Sequence, residues 1–204
     1  MSLPINTKEK LEEAIALHQG GQVRQAEQIY KQILRINSQD AEALHLLGVV
    51  ALQAKKYEVA VELIKQATKI DSKQSSFFNN LSLALIKQGK LEEAVQACQQ
   101  ALKLKPDDAG THYNLGIALQ KLEKLEQALI IYQKAIQIQP NNAEIHNNLG
   151  AILWKQGQLE ESIQAYQNAI KIQPNYAEPH NNLGQTLLLT GSLHQGWKEY
   201  EWRW

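Results

Sequence analysis

Few side chains in this 204-residue chain have types and spacing that could do chemistry. Cys98 is the lone thiol, which excludes a disulfide framework and a thiolate-based structural zinc site. Its position coincides with tyrosines and an isoleucine 34 residues apart along the chain, so it reads as a small buried hydrophobe rather than a nucleophile. His112, His146 and His180 also recur every 34 residues. A metal needs its nitrogens within about 2 Å of one ion, whereas equivalent positions on stacked helices lie about 8–10 Å apart. No metal site follows. A glycine-rich phosphate loop, a His-Glu-x-x-His helix and a Gly-x-Ser-x-Gly elbow are all missing from the sequence. The expectation is a chain with no catalytic residue and no cofactor.

Asparagines carry the more informative pattern. Asn80, Asn114, Asn148 and Asn182 recur at the same spacing, while Glu12 and Leu46 hold the two earlier positions. Mid-helix Asn is a poor helix former, so propensity did not select it. On a helical wheel, Asn114 lies with Tyr113, Ile117 and Lys121, away from the stripe of His112, Leu115 and Leu119. A carboxamide both donates and accepts, so a ladder of them can hold a peptide backbone whatever its side chains. At about 10 Å per repeat, one Asn would meet an extended peptide every three residues, given about 3.3 Å of rise each. The competing reading is that these residues bond neighbouring helices or persist because repeats are copies. Lys87, Lys121 and Lys155 run parallel to the ladder, either as a solvated row or as a grip on an acidic or C-terminal peptide.

The same 34-residue period organises the elements that must position these side chains. Pro106, Pro140 and Pro174 share it, as do Gly48, Gly116, Gly150 and Gly184, and also Ala26, Ala60, Ala94, Ala128 and Ser162. A fixed period of this length marks a solenoid whose units bury their apolar faces only by stacking. Each unit reads as two helices. In the fourth, Asp107 or Asp108 caps a first helix, a break falls near Glu123, and a second helix runs to Pro140. Gly21, Gly89, Gly157 and Gly191 stand at other breaks. The fold expected is all-α: about 12 helices arranged as a solenoid of antiparallel helix pairs.

This pattern of Leu-Gly, Ala, aromatic, Ala and Pro resembles the tetratricopeptide repeat (TPR) family, over essentially the whole chain. The resemblance implies a right-handed superhelix, a single TPR solenoid over residues 1–204. Its repeats are 7–40, 41–74, 75–108, 109–142, 143–176 and an incomplete 177–204. Phe78, His112, His146 and His180 stand where the family opens with Trp, and Ser38 and Ser72 replace two closing prolines. The family is one of non-catalytic scaffolds, so the expected function is protein–protein interaction, with a protein or peptide held in the inner groove. The asparagine ladder is similar to that lining the O-linked N-acetylglucosamine transferase superhelix. It implies peptide-binding roles for Asn80, Asn114, Asn148 and Asn182, with Lys87, Lys121 and Lys155 beside them. The terminal Gly196-Trp197-Lys198-Glu199-Tyr200-Glu201-Trp202-Arg203-Trp204 is similar to the junction at which bacterial repeat proteins continue into a glycosyltransferase domain. The alternative reading is therefore the substrate-recognition arm of such an enzyme, its catalytic domain lying beyond Trp204.

Composition narrows the partners. Lys plus Arg and Asp plus Glu both number 21, so the chain is formally neutral and lacks the basic surplus that nucleic-acid binding needs. The longest apolar runs, such as Leu46 to Leu52, fall far short of the roughly 20 residues that span a bilayer. With no signal peptide legible, a cytoplasmic location is expected. At the C-terminal end, Leu193, Trp197, Tyr200 and Trp204 share a helical stripe that should pack in part on Leu183 and Leu187. Trp202 falls on the opposite face unless the helix unwinds. Trp197, Trp202 and Trp204 are thus expected to form an interface with a second copy or a downstream domain.

Overall fold

Polar caps and left-handed turns set the element boundaries. The structure is a computed structural model that describes residues 7–203. Among these it shows twelve α-helices, a 3₁₀ turn and no strand. The helices fall into two units, one ending at Pro106 and one beginning at Asp107. The first holds α1 (Thr7–Gln19), α2 (Val23–Ile36), α3 (Ala41–Gln53), α4 (Tyr57–Ile70), α5 (Ser75–Gln88) and α6 (Leu91–Leu104). The second holds α7 (Ala109–Lys121), α8 (Leu125–Ile138), α9 (Ala143–Lys155), α10 (Leu159–Ile172), α11 (Ala177–Leu189), α12 (Leu193–Tyr200) and the turn Glu201–Arg203.

Of the two aspartates that could cap α7, Asp108 does so, accepting from the Thr111 amide at 2.9 Å. Asp40 caps α3 by accepting from Ala43 at 2.9 Å. Asn142 caps α9 by accepting from Glu144 and Ile145 at 3.0 and 3.2 Å. The expected break at Glu123 is a left-handed residue with φ 57°, a conformation that its glycine counterparts enter without a Cβ penalty. Lys55 does the same with φ 59°. The short turns bring each helix back along its predecessor as an antiparallel pair. Within each unit every helix packs on the next, and the first helices of neighbouring pairs also touch, α3 on α5 and α9 on α11.

The small-residue columns form the seam inside each pair. A Cβ added to Gly150 would lie 2.6 Å from Cε1 of Tyr166, and one on Gly48 2.5 Å from Cγ1 of Ile64. The glycine is therefore required by the large side chain opposite. Tyr30, Ile64, Cys98 and Tyr132 are fully buried, as are Ala26, Ala60, Ala94 and Ala128. Where Ser162 replaces Ala, its hydroxyl donates to the Gly150 carbonyl across the seam at 2.9 Å, so the buried oxygen is satisfied.

The terminal segment departs from the single-helix wheel. The α-helix ends at Tyr200 and tightens into the 3₁₀ turn, which folds against α11. That change of winding brings Trp202 onto His180, with ring centroids 4.1 Å apart and planes at 9°. Of the stripe expected to pack in part on α11, Leu193 and Trp197 are 60% and 57% exposed. The reason is steric: the α12 backbone itself occupies the space over Gly184, whose added Cβ would lie 2.7 Å from the Tyr200 nitrogen. Trp204 lies outside the described residues.

Candidate functional site

The histidine column turns out to fasten repeats together. Nε2–H of His146 donates to the Pro140 carbonyl and that of His180 to the Pro174 carbonyl, each at 2.9 Å. Proline ends one helix pair; the histidine six residues later ties that turn to the next pair. His180 also places Nδ1 2.5 Å from a Glu199 carboxylate oxygen on α12. Among the described residues, no three His, Cys, Asp or Glu side chains gather where an ion could sit. Burial of Cys98 pushes its thiol up to about 11, which removes the thiolate at neutral pH.

Three of the four ladder asparagines reach back one residue more than a full repeat. Asn80 Nδ2 donates to His45 Nε2 at 2.9 Å, Asn148 to the Tyr113 hydroxyl at 3.3 Å, and Asn182 to the Asn147 carbonyl oxygen at 3.1 Å. Their amide groups thus bond neighbouring first helices. Asn114 is only 6% exposed. Burial, and then the charge of Glu144, pushes Tyr113 up to about 12, so its hydroxyl stays neutral and available as an acceptor.

The second unit nevertheless presents two adjoining clefts along its first helices. One, of about 460 Å³, has Ile117, Gln120, Lys121, Glu123, Asn148 and Lys155 on its walls. The other, of about 170 Å³, is lined by Ala151, Trp154, Lys155, Tyr166, Asn182, Gln185 and Thr186. Lys155 belongs to both. The structure thus brings together Asn148, Asn182, Lys121 and Lys155, while Lys87 and Asn80 lie in the first unit. Lys155 is held by Glu123, Nζ to Oε1 3.1 Å, a surface pair worth little and readily exchanged. Sequence reasoning missed Trp154, which is 42% exposed on the cleft wall. Its signal was present: the column reads Ile86, Gln120, Trp154, Leu188, so no repeat rule demands an indole there.

Stacked helix pairs with a small-residue seam and a polar groove on the first helices define a class of helical-repeat scaffold. The chain belongs to the tetratricopeptide repeat family: the TPR repeat profile matches residues 83–123, 121–157 and 152–191, over half its length. A profile described as anaphase-promoting complex, cyclosome, subunit 3, matches residues 19–101. No curated protein sequence matches significantly. Among solved structures, Pseudomonas aeruginosa pilF is 20% identical with TM-score 0.83, over 95% of this chain and 88% of its own. YrrB, described as a TPR protein with an unusual peptide-binding site, is 22% identical with TM-score 0.71, over 83% of this chain and 88% of its own. TTC0263, a thermophilic TPR protein of Thermus thermophilus, is 22% identical with TM-score 0.69, over 89% and 99%. These likenesses establish a shared fold. No helix among the described residues is long and apolar enough to cross a membrane.

Proposed function

We infer that the chain is a non-catalytic scaffold that holds an extended peptide segment of a protein partner along the first-helix face of its second unit. The observation that carries this reading is the pair of clefts that share Lys155, lined between them by carboxamides, ammonium groups and a half-exposed indole. Asn148 and Asn182 each spend an Nδ2 proton on the neighbouring helix, which fixes their rotamers. Asn148 lines the cleft with a carboxamide whose oxygen is assigned to accept from a peptide amide. Lys121 offers its charge to a carboxylate, and Trp154 covers an apolar side chain. Asn114 belongs to the same column on α7 and is assigned a supporting role, while Asn80 and Lys87 hold the corresponding positions in the first unit. The fold shared with YrrB, described as having a peptide-binding site, favours the same use. Probing a random-peptide array with the full chain and with Trp154→Ala tests it: selected spots should be lost or weakened in the variant. An identical spot pattern from both proteins would reject the groove.

A second reading rests on the other end. Leu189, Leu193, Trp197 and Trp202 are 64%, 60%, 57% and 42% exposed, and they offer an apolar surface to a second copy or a further domain. Together with the terminal sequence, this supports the recognition arm of an O-linked N-acetylglucosamine transferase-like enzyme, with a sugar-transfer domain following Trp204. A stop codon directly after Trp204 in the gene would remove that version. A sedimentation profile that stays monomeric at high concentration would remove the second copy.

A further inference from the structure

Two repeats of 34 residues separate positions 55 and 87 in the first unit from positions 123 and 155 in the second. The correspondence extends to the backbone, since among the described residues Lys55 and Glu123 are the two non-glycine residues with positive φ, at 59° and 57°. In the second unit these places hold an ion pair, Lys155 Nζ to Glu123 Oε1 at 3.1 Å. In the first unit both hold lysine. Lys55 and Lys87 line one open cleft of about 520 Å³, and Lys56 lines it with them.

Lys31, Lys65, Lys134 and Lys155 each have a carboxylate oxygen within 4.0 Å. Lys55, Lys56 and Lys87 have no such ion pair among the described residues, and all three are exposed. One carboxylate, Glu58, shares the cleft with the three ammonium groups. Glu27, which the charge of Lys56 helps to hold below the usual range, is itself bonded to Lys31. The cleft also abuts the first turn of α4, where Lys56 supplies no side-chain cap. The amides of that turn have no helical acceptor and favour negative charge. Like charges drawn together at a site whose sister repeat is neutralised ask for an anion from outside.

We propose that this cleft binds an acidic peptide segment, one carboxylate of which sits between Lys55 and Lys87 as Glu123 sits beside Lys155 in the second unit. The surplus of cation over anion is small and local, and the chain as a whole is neutral. That suits a few side-chain carboxylates better than a phosphate backbone, whose binding needs an extended basic track. The cleft is lined by residues of the first unit alone and shares none with the groove of the second, so Trp154→Ala should leave its lining unchanged and each can fail alone.

The test is fluorescence anisotropy of a fluorescein-labelled hexaglutamate peptide with the full chain at low salt. Wild type should bind saturably and weaken as salt rises. K55E rebuilds the ion pair of the sister repeat with Lys87, so it should fold with an unlowered melting temperature and bind about tenfold more weakly. K73E, an equal charge change at an exposed turn outside the cleft, should alter binding by less than about twofold. If K55E fails to fold by circular dichroism, K55Q takes its place, with a loss of about threefold expected. Equal losses in the position-55 and position-73 variants, no saturable binding by wild type, or tighter binding of a hexauridine RNA would each overturn the proposal.

Discussion

At the scale of single residues, chemistry here is set by what lies opposite. Cys98 faces the small column and loses its thiolate to burial, which raises its pKa from 9.0 to about 11. An acid whose folded pKa is raised binds its proton more tightly in the native state. Its contribution to stability is therefore complete below about pH 9 and is lost as pH climbs from there toward about 11. Folded protein at pH 7.5 should leave Cys98 unreactive to a thiol reagent for hours, and denaturant should release it. Rapid labelling without denaturant would contradict that burial. Gly150→Ala should cost about 1–3 kcal/mol, because Tyr166 must move from the space the methyl takes; chemical denaturation measures it.

At the scale of elements, the helix pair is the unit that responds. Ala128→Leu should overpack the α7–α8 seam by about 1–3 kcal/mol. Because α8 also packs on α9, and α9 on α10, hydrogen exchange should accelerate in α9 and α10 as well as in its own pair. Acceleration confined to α7 and α8 would show that neighbouring pairs are uncoupled. Much of this level was legible in the sequence, since caps, breaks and seam residues act over a few positions and repeat every 34. The breaks at Glu123 and the glycines are where the periodic pattern placed them, and Asp108 is one of the two caps expected for α7. The ladder's internal partners were not legible: His45, Tyr113 and Asn147 share a column but not a chemistry, and only stacking brings them against Asn80, Asn148 and Asn182. Nor was the 3₁₀ turn at Glu201–Arg203, because a wheel assumes that winding stays constant.

At the scale of the molecule, balanced charge and stacked pairs suit a surface that recognises chain rather than sequence. Asn148 bonds Tyr113 and, in the proposed function, also holds the peptide, and the two duties can be separated. Tyr113→Phe deletes the internal acceptor and leaves the carboxamide in place. Asn148→Ala with Asn182→Ala deletes both duties. The Tyr113→Phe protein should melt slightly lower, a net loss of about 0.5–1.5 kcal/mol, and keep its peptide affinity. The most direct measurement of the central claim is the dissociation constant of an array-selected peptide for wild type, Tyr113→Phe and the double asparagine variant. The first two should agree within about twofold, and the double variant should bind about tenfold more weakly or worse. Unchanged affinity in the folded double variant would contradict a peptide-holding groove, leaving the asparagine ladder with a structural role alone.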